Sequence, residues 1–311
     1  MKKHNPVFCI LLFSCVFLSG AFAAKKDAAM VNTLVAEEAD RTFETANKAL
    51  ASGDMRKAAN SLLSAYKLAF SIDDTDLLTR VCLSSISFKL NAQSTGYDES
   101  HLDKTYLAAT ADELLEKAQM FAEFPGNSNG TVLSAVCRIY AVRLALSQEK
   151  TAYPEYLSTL TSLEKPLAKE ANHLAQLYRT KGDVYMRSSN YGSARDYYQK
   201  AADVHTKNKV LGEIGMDWYN VARSCSLGDK KKDAVSAIEQ AIKYDRDAEN
   251  TSGLGSDYLA YAKILMKGNP SSDEKKKARV FADWAASIYE AGDFISEAEK
   301  ARAFLESISA N

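Results

Sequence analysis

The chain has 311 residues, 46% of them hydrophobic and 25% charged, with a formal net charge of −1. That length and balance support one large or two ordinary domains with a buried core. They exclude a globally disordered chain and give none of the basic field that nucleic-acid binding needs.

Residues 1–23 read as an export signal. Lys2, Lys3 and His4 form a short basic region, residues 7–18 are apolar, and Ala21-Phe22-Ala23 supplies small residues for cleavage before Ala24. No transmembrane span is expected once that signal is removed. The run Leu12-Phe13-Ser14-Cys15 offers a second route, lipidation at Cys15, although Phe13 sits where a smaller aliphatic residue is usual. An exported protein, resident in a bacterial-type periplasm, is the expectation, with the lipoprotein as the alternative.

From residue 24 the chain reads as helix after helix. Only 5 prolines and 14 glycines stand among abundant alanine, leucine, lysine and glutamate, which suits helices and suits strands poorly. Apolar residues recur at steps of three and four. Short breakers punctuate them at Ser52-Gly53-Asp54, Pro125-Gly126-Asn127, Ser189-Asn190, Leu227-Gly228-Asp229, Gly268-Asn269-Pro270 and Gly292-Asp293. Asp73 or Asp74 caps one helix, and Ser271, Ser272 or Asp273 another, by accepting from unpaired first-turn N–H groups. Residues 93–104 are expected to form a long surface loop. Cys82, Cys137 and Cys225 lie in apolar helical patterns and are expected to be reduced and buried.

The segment 182–202 carries the clearest pattern. Gly182, Ala194 and Ala201 are spaced as residues where two antiparallel helices cross closely, with Tyr178, Tyr185, Tyr191 and Tyr198 filling the gaps beside them. Trp218, Ala222, Cys225, Ala234, Ile238 and Ala241 repeat those relative positions. Ala46, Ala49, Gly53, Met55, Ala58, Leu62 and Ala65 do so near the N-terminus, and Ala278, Ala282 and Ala285 form a weaker match. This pattern resembles the tetratricopeptide repeat (TPR): aromatic, small, aromatic on the first helix and Ala, aromatic, Ala on the second. The proline common at the end of that repeat is missing, with Thr206 and Arg246 in its place, and residues 73–170 keep only the hairpin logic.

The resemblance implies an all-α fold of antiparallel hairpins stacked into a TPR-like right-handed solenoid. The expected layout is a signal at 1–23, N-terminal hairpins over 24–170 (one TPR-like, two degenerate), and TPR-like repeats over 171–311 ending in a capping helix.

No enzymatic constellation emerges. His101, His173 and His205 have no acidic or cysteine partner at ligand spacing and are expected at the surface or in a groove. Gly253-Leu254-Gly255 lacks the third glycine and preceding strand of a dinucleotide site. No cofactor and no metal are expected. Lys230-Lys231-Lys232 and Lys275-Lys276-Lys277 read as solvated helix starts. Asn129 and Asn250 head glycosylation sequons.

What remains is what the resemblance implies: a concave face, lined by first helices, that binds a protein or peptide. Carried onto this sequence, its candidate residues are Gln176, Arg179, Asp183 and Arg187 from one repeat and Tyr219, Asn220 and Arg223 from the next. A clamp for a terminal carboxylate is rejected, because Asp183 would repel it. The expected function is a non-enzymatic scaffold or adaptor. The alternative is a periplasmic accessory protein of solute uptake, holding a small molecule in a helical channel.

Overall fold

The computed structural model describes residues 33–100, 102 and 106–309. The signal segment, Cys15 and His101 lie outside the described residues. Within them the fold is all-α: thirteen helices and no strand. The chain divides into two compact units, one up to Lys150 and one from Thr151.

The first unit contains α1 (Leu34–Ala51), α2 (Met55–Ser71), α3 (Thr75–Thr95), α4 (Ala111–Ala122) and α5 (Gly130–Ser147). Consecutive helices pack against one another, and α5 also packs on α3. Ala46, Ala58, Leu62 and Ala65 are fully buried, as the repeat pattern predicts. Asp74 settles the capping alternative at α3, accepting from the Leu77 N–H at 2.9 Å. The connector after α3 is not simply a surface loop. Residues 93–95 finish α3, and Tyr106 and Leu107 are buried, with the Tyr106 ring stacked on Tyr66 at 3.9 Å. By length and composition α5 could cross a membrane, which the sequence reading overlooked. Its Leu133, Val136, Ile139 and Tyr140 are buried in the packed unit. A helix apolar on all sides is what an enclosed position demands. Cys82, Cys137 and Cys225 are free and buried. Burial pushes the thiols of Cys82 and Cys137 up to about 12, which leaves them poor nucleophiles.

The second unit contains α6 (Tyr153–Ser162), α7 (Ala171–Arg187), α8 (Tyr191–Lys207), α9 (Leu211–Leu227), α10 (Lys231–Asp247), α11 (Thr251–Met266), α12 (Ser272–Ala291) and α13 (Ile295–Ser309). From α7 onward each helix packs on the next, so α7–α8, α9–α10 and α11–α12 are successive antiparallel hairpins. Their starts at residues 171, 211 and 251 set a 40-residue step, against about 34 in the tetratricopeptide repeat. Spacing inside the motif is the same in the first two of these hairpins, where Gly182, Ala194, Tyr198 and Ala201 map onto Ala222, Ala234, Ile238 and Ala241. The extra length lies beyond Ala201 and Ala241, where α8 and α10 run on and the next helix begins early. Thr206 and Arg246 fall inside that extension, where a proline would remove a helical N–H donor.

The turns repeat as strictly as the helices. Ser189, Lys209, Asp229 and Glu249 stand twenty residues apart, all with φ between 54° and 58°. The N–H of each following residue donates five positions back, at 2.8–3.0 Å, which closes the carbonyls of the preceding helix end. Non-glycine residues in this left-handed region cost roughly 1–2 kcal/mol each, so the hydrogen bonds and the packing of the hairpins hold them there.

Gly182 shows why small residues recur. A Cβ built there would stand 2.5 Å from the Tyr198 ring, inside contact distance. One step later the equivalent pair is Ala222 with Ile238, and in the first unit it is Ala46 with Leu62, all buried. Where the facing side chain is the largest, the small residue is glycine. We therefore expect Gly182→Ala to destabilise the protein by about 1–3 kcal/mol through overpacking. The double substitution Gly182→Ala with Tyr198→Ile, which reproduces the Ala222–Ile238 pair, should recover most of that loss in urea unfolding.

Candidate partner-binding face

The residues singled out from the sequence sit on α7 and α9, the first helices of two successive hairpins. They divide into two sets. Asp183, Arg187, Tyr219, Asn220 and Arg223 are half-buried, with part of each side chain open to solvent. Gln176 and Arg179 are buried, at 2% and 6% exposure. As groove-lining contacts those two are corrected: they lie beneath the face.

Arg179 is the centre of a buried polar joint between hairpins. Its guanidinium donates to Asp217 Oδ1 at 2.8 Å through Nε and to Glu213 Oε2 at 2.8 Å through Nη1, with a further bond to the Glu213 carbonyl. His205 Nδ1, from the end of α8, lies 2.6 Å from Asp217 Oδ2. Burial opposes the charge on Arg179, but the Asp217 and Glu213 carboxylates outweigh it and raise the group above its ordinary value. The planar fork of arginine suits two acceptors at once. His205 and His173 are both buried, in contrast to the surface or groove placement expected from sequence.

The half-buried set gathers around two tyrosines. Tyr198 donates to Asp183 Oδ1 at 2.7 Å. Burial raises the Tyr198 phenol well above its usual value, Asp183 adds to that, and Arg223 works against it. Burial likewise raises Tyr219, again with Arg223 opposing. Asp183, Tyr219 and Arg223 therefore share one electrostatic neighbourhood.

The 40-residue step adds a residue that the sequence reading passed over. Position 183 becomes 223 on α9 and 263 on α11, so Asp183, Arg223 and Lys263 occupy equivalent places on three successive first helices. Lys263 is exposed, yet desolvation, with Lys300 second, lowers its pKa. Its ammonium lies over the Phe304 ring of α13, 5.7 Å from the ring centroid. The signal was the fixed step itself, which the weaker match at α11 obscured.

Other singled-out residues have structural work. Lys231 Nζ donates to the Leu265 carbonyl at 2.7 Å and pairs with Glu274, so it ties α10 to the end of α11 and the start of α12. Asn250 caps α11, accepting from the Gly253 N–H at 3.1 Å, and its amide donates to Asp245. The Asn129 amide donates to Asp76 at 2.7 Å. Gly253 and Gly255 sit in the first turns of α11, where a Cβ would strike Asp245 and Tyr289.

In the first unit, α4 and α5 border a groove of about 590 Å³ lined by Leu115, Met120, Ala141, Glu116, Glu123 and Arg138 among others. It opens widely to solvent and does not enclose a molecule. Among the described residues no group of three or more His, Cys, Asp or Glu is placed to hold a metal ion.

No protein-family model matches the chain, and no curated protein does. Solved structures do match in fold. BtubC (BKLC) from P. vanneervenii is 12% identical, with a TM-score of 0.52 over 84% of this chain and 93% of that one. A Rap protein, solved in complex with Competence and Sporulation Factor, is 16% identical, with a TM-score of 0.55 over 88% of this chain and 71% of that one. The chain has the fold of a helical repeat protein.

Truncating Arg179 would leave Asp217 and Glu213 buried without their cation. Arg179→Ala is expected to cost about 3–5 kcal/mol, read as a fall in the urea midpoint. Arg187→Ala, at a half-buried position on the same helix, is expected to stay within about 0.5 kcal/mol of the parent.

Proposed function

We propose that this protein is a non-enzymatic, TPR-like scaffold that binds a protein or peptide partner on the face formed by α7, α9 and α11. The observation that carries the reading is the stacking of Asp183, Arg223 and Lys263 at one register on three successive helices, beside half-buried Tyr219 and Asn220. Charged and amphipathic side chains repeated at a fixed step suit an extended partner, which meets one after another along its length. A preformed face also limits the ordering entropy lost on binding. The fold likeness to a Rap protein solved with Competence and Sporulation Factor supports the same class of function.

Affinity capture with the tagged chain from its native envelope, followed by mass spectrometry, tests this. One or two reproducible partners are expected. Arg223→Glu combined with Lys263→Glu should reduce their capture at least tenfold with helicity unchanged, while Lys232→Glu, on exposed α10 surface, should leave capture intact. Unchanged capture by the double variant would remove this face from the binding site. Loss of capture together with helicity would make the two residues structural.

The protein also acts outside the cytoplasm in this reading, its leader cleaved before Ala24. The support is the basic, apolar and small-residue order of residues 1–23. Intact-mass measurement of the envelope protein should give a chain beginning at Ala24. A chain beginning with a lipid-modified Cys15 would establish the anchored alternative.

A further inference from the structure

The 40-residue step allows the joints between hairpins to be compared position by position. At the α8–α9 joint the three buried positions are Arg179, His205 and Asp217. One step on, the same positions are Tyr219, Asp245 and Asp257. The arginine has become a phenol and the imidazole a second carboxyl. A joint in which Arg179 and His205 meet the carboxylates of Asp217 and Glu213 is replaced by two carboxyls with no arginine between them.

Asp245 and Asp257 are 2% and 1% exposed. No N–H or hydroxyl donor reaches either carboxyl oxygen of Asp257. Asp245 stands at the place that His205 takes one step earlier, where His205 Nδ1 lies 2.6 Å from Asp217, and the charge of Asp245 opposes ionisation of Asp257. Two carboxylates are both acceptors, so a hydrogen bond between them requires a proton on one. The surroundings were shaped for this pair. A Cβ at Gly215 would stand 2.1 Å from Asp245 Oδ1, and one at Gly253 would stand 2.3 Å from Oδ2. Asn250 donates to Asp245 Oδ1 at 3.1 Å. The other facing groups are Glu213 and Tyr219 from α9 and Tyr289 from α12. None of these is a cation, and Glu213 is itself paired with Arg179.

We propose that the α10–α11 joint is closed by one proton held between Asp245 and Asp257, so that this joint loosens as pH rises. The device is independent of whether the face above it binds a partner.

The direction follows from the environment. Desolvation raises both carboxyls, Asp257 well above the usual range and Asp245 to about 6. In the unfolded chain both return to the ordinary aspartate value near 4. The stabilisation from the protonated carboxyls is therefore complete below about pH 4; it falls as pH rises through about 6, where Asp245 gives up its proton, and goes on falling at higher pH until Asp257 gives up the last one. For Asp245 alone, that shift makes the folding equilibrium constant about tenfold larger at pH 5 than at pH 7.5.

Urea unfolding of the full chain at pH 5 and pH 7.5 tests the proposal. Asp257→Asn keeps the shape and supplies a donor that does not titrate, and Asp245→Asn does the same from the other side. Asp245→Asn is expected to remove about tenfold of the parent's pH difference and Asp257→Asn at least as much, mainly by raising stability at pH 7.5. If both variants keep the parent's full pH difference, the proposal fails. Carboxyl ¹³C NMR of the full chain labelled at aspartate gives a reading that needs no variant. At least one aspartate should titrate above pH 5.5, and titration of every aspartate below pH 5 would overturn the proposal.

Discussion

Two helices lie only as close together as the side chains at their crossing permit, and in the second unit that constraint sets almost everything else. Glycine or alanine at 182, 194, 201, 222, 234 and 241 brings α7, α8, α9 and α10 into close register. At such separations there is no room for long apolar side chains between the backbones, so tyrosines and isoleucines fill the flanks. Close approach also fixes where the helix ends fall. The turns then repeat at twenty-residue intervals with the same left-handed residue and the same closing hydrogen bond.

The extra helical turn beyond each motif is what separates this chain from a standard tetratricopeptide repeat. It places His205 and Asp245 deeper along the second helices, opposite Asp217 and Asp257 on the next hairpins. Buried polar groups there must find partners in the neighbouring hairpin, because no water reaches them. Neighbouring hairpins are thereby joined by specific pairs and not by apolar packing alone. The half-buried residues above these joints, Tyr219 and Arg223 among them, inherit their positions from the pairing below.

The architecture was legible because its signals are local. Gly182, Ala194 and Ala201 with the interleaved tyrosines announce a helical hairpin, and the breaker residues fall between the observed helices. Asp74 and Ser271 cap where an acid or a hydroxyl was expected. The errors concern depth. Arg179 and Gln176 have the composition of a binding surface, and helical periodicity alone places them toward the open side. The burial of Arg179 depends on Glu213 and Asp217, which arrive from α9. The same reason hid the work of Lys231, whose charge run looks like solvated surface until the end of α11 is brought against it. Lys263 was missed for a different cause: α11 carries a weaker motif, so its register was legible only once the step of 40 was known.

Each joint is assembled from side chains that belong to different hairpins: His205 or Asp245 near the end of one, Asp217 or Asp257 near the start of the next. The identical turns at Lys209 and Glu249 make the intervening forty residues an interchangeable cassette. Excising α9 and α10 in register would set His205 and Arg179 opposite Asp257, which is again a charge-balanced joint. Duplicating the same cassette would set Asp245 against a new Asp217 and would put a new Glu213 at the place of Gly253, where the Asp245 carboxyl leaves no room for a Cβ. The seam held by carboxyls can therefore be removed by shortening the array in register, whereas lengthening it would need a glycine in place of Glu213.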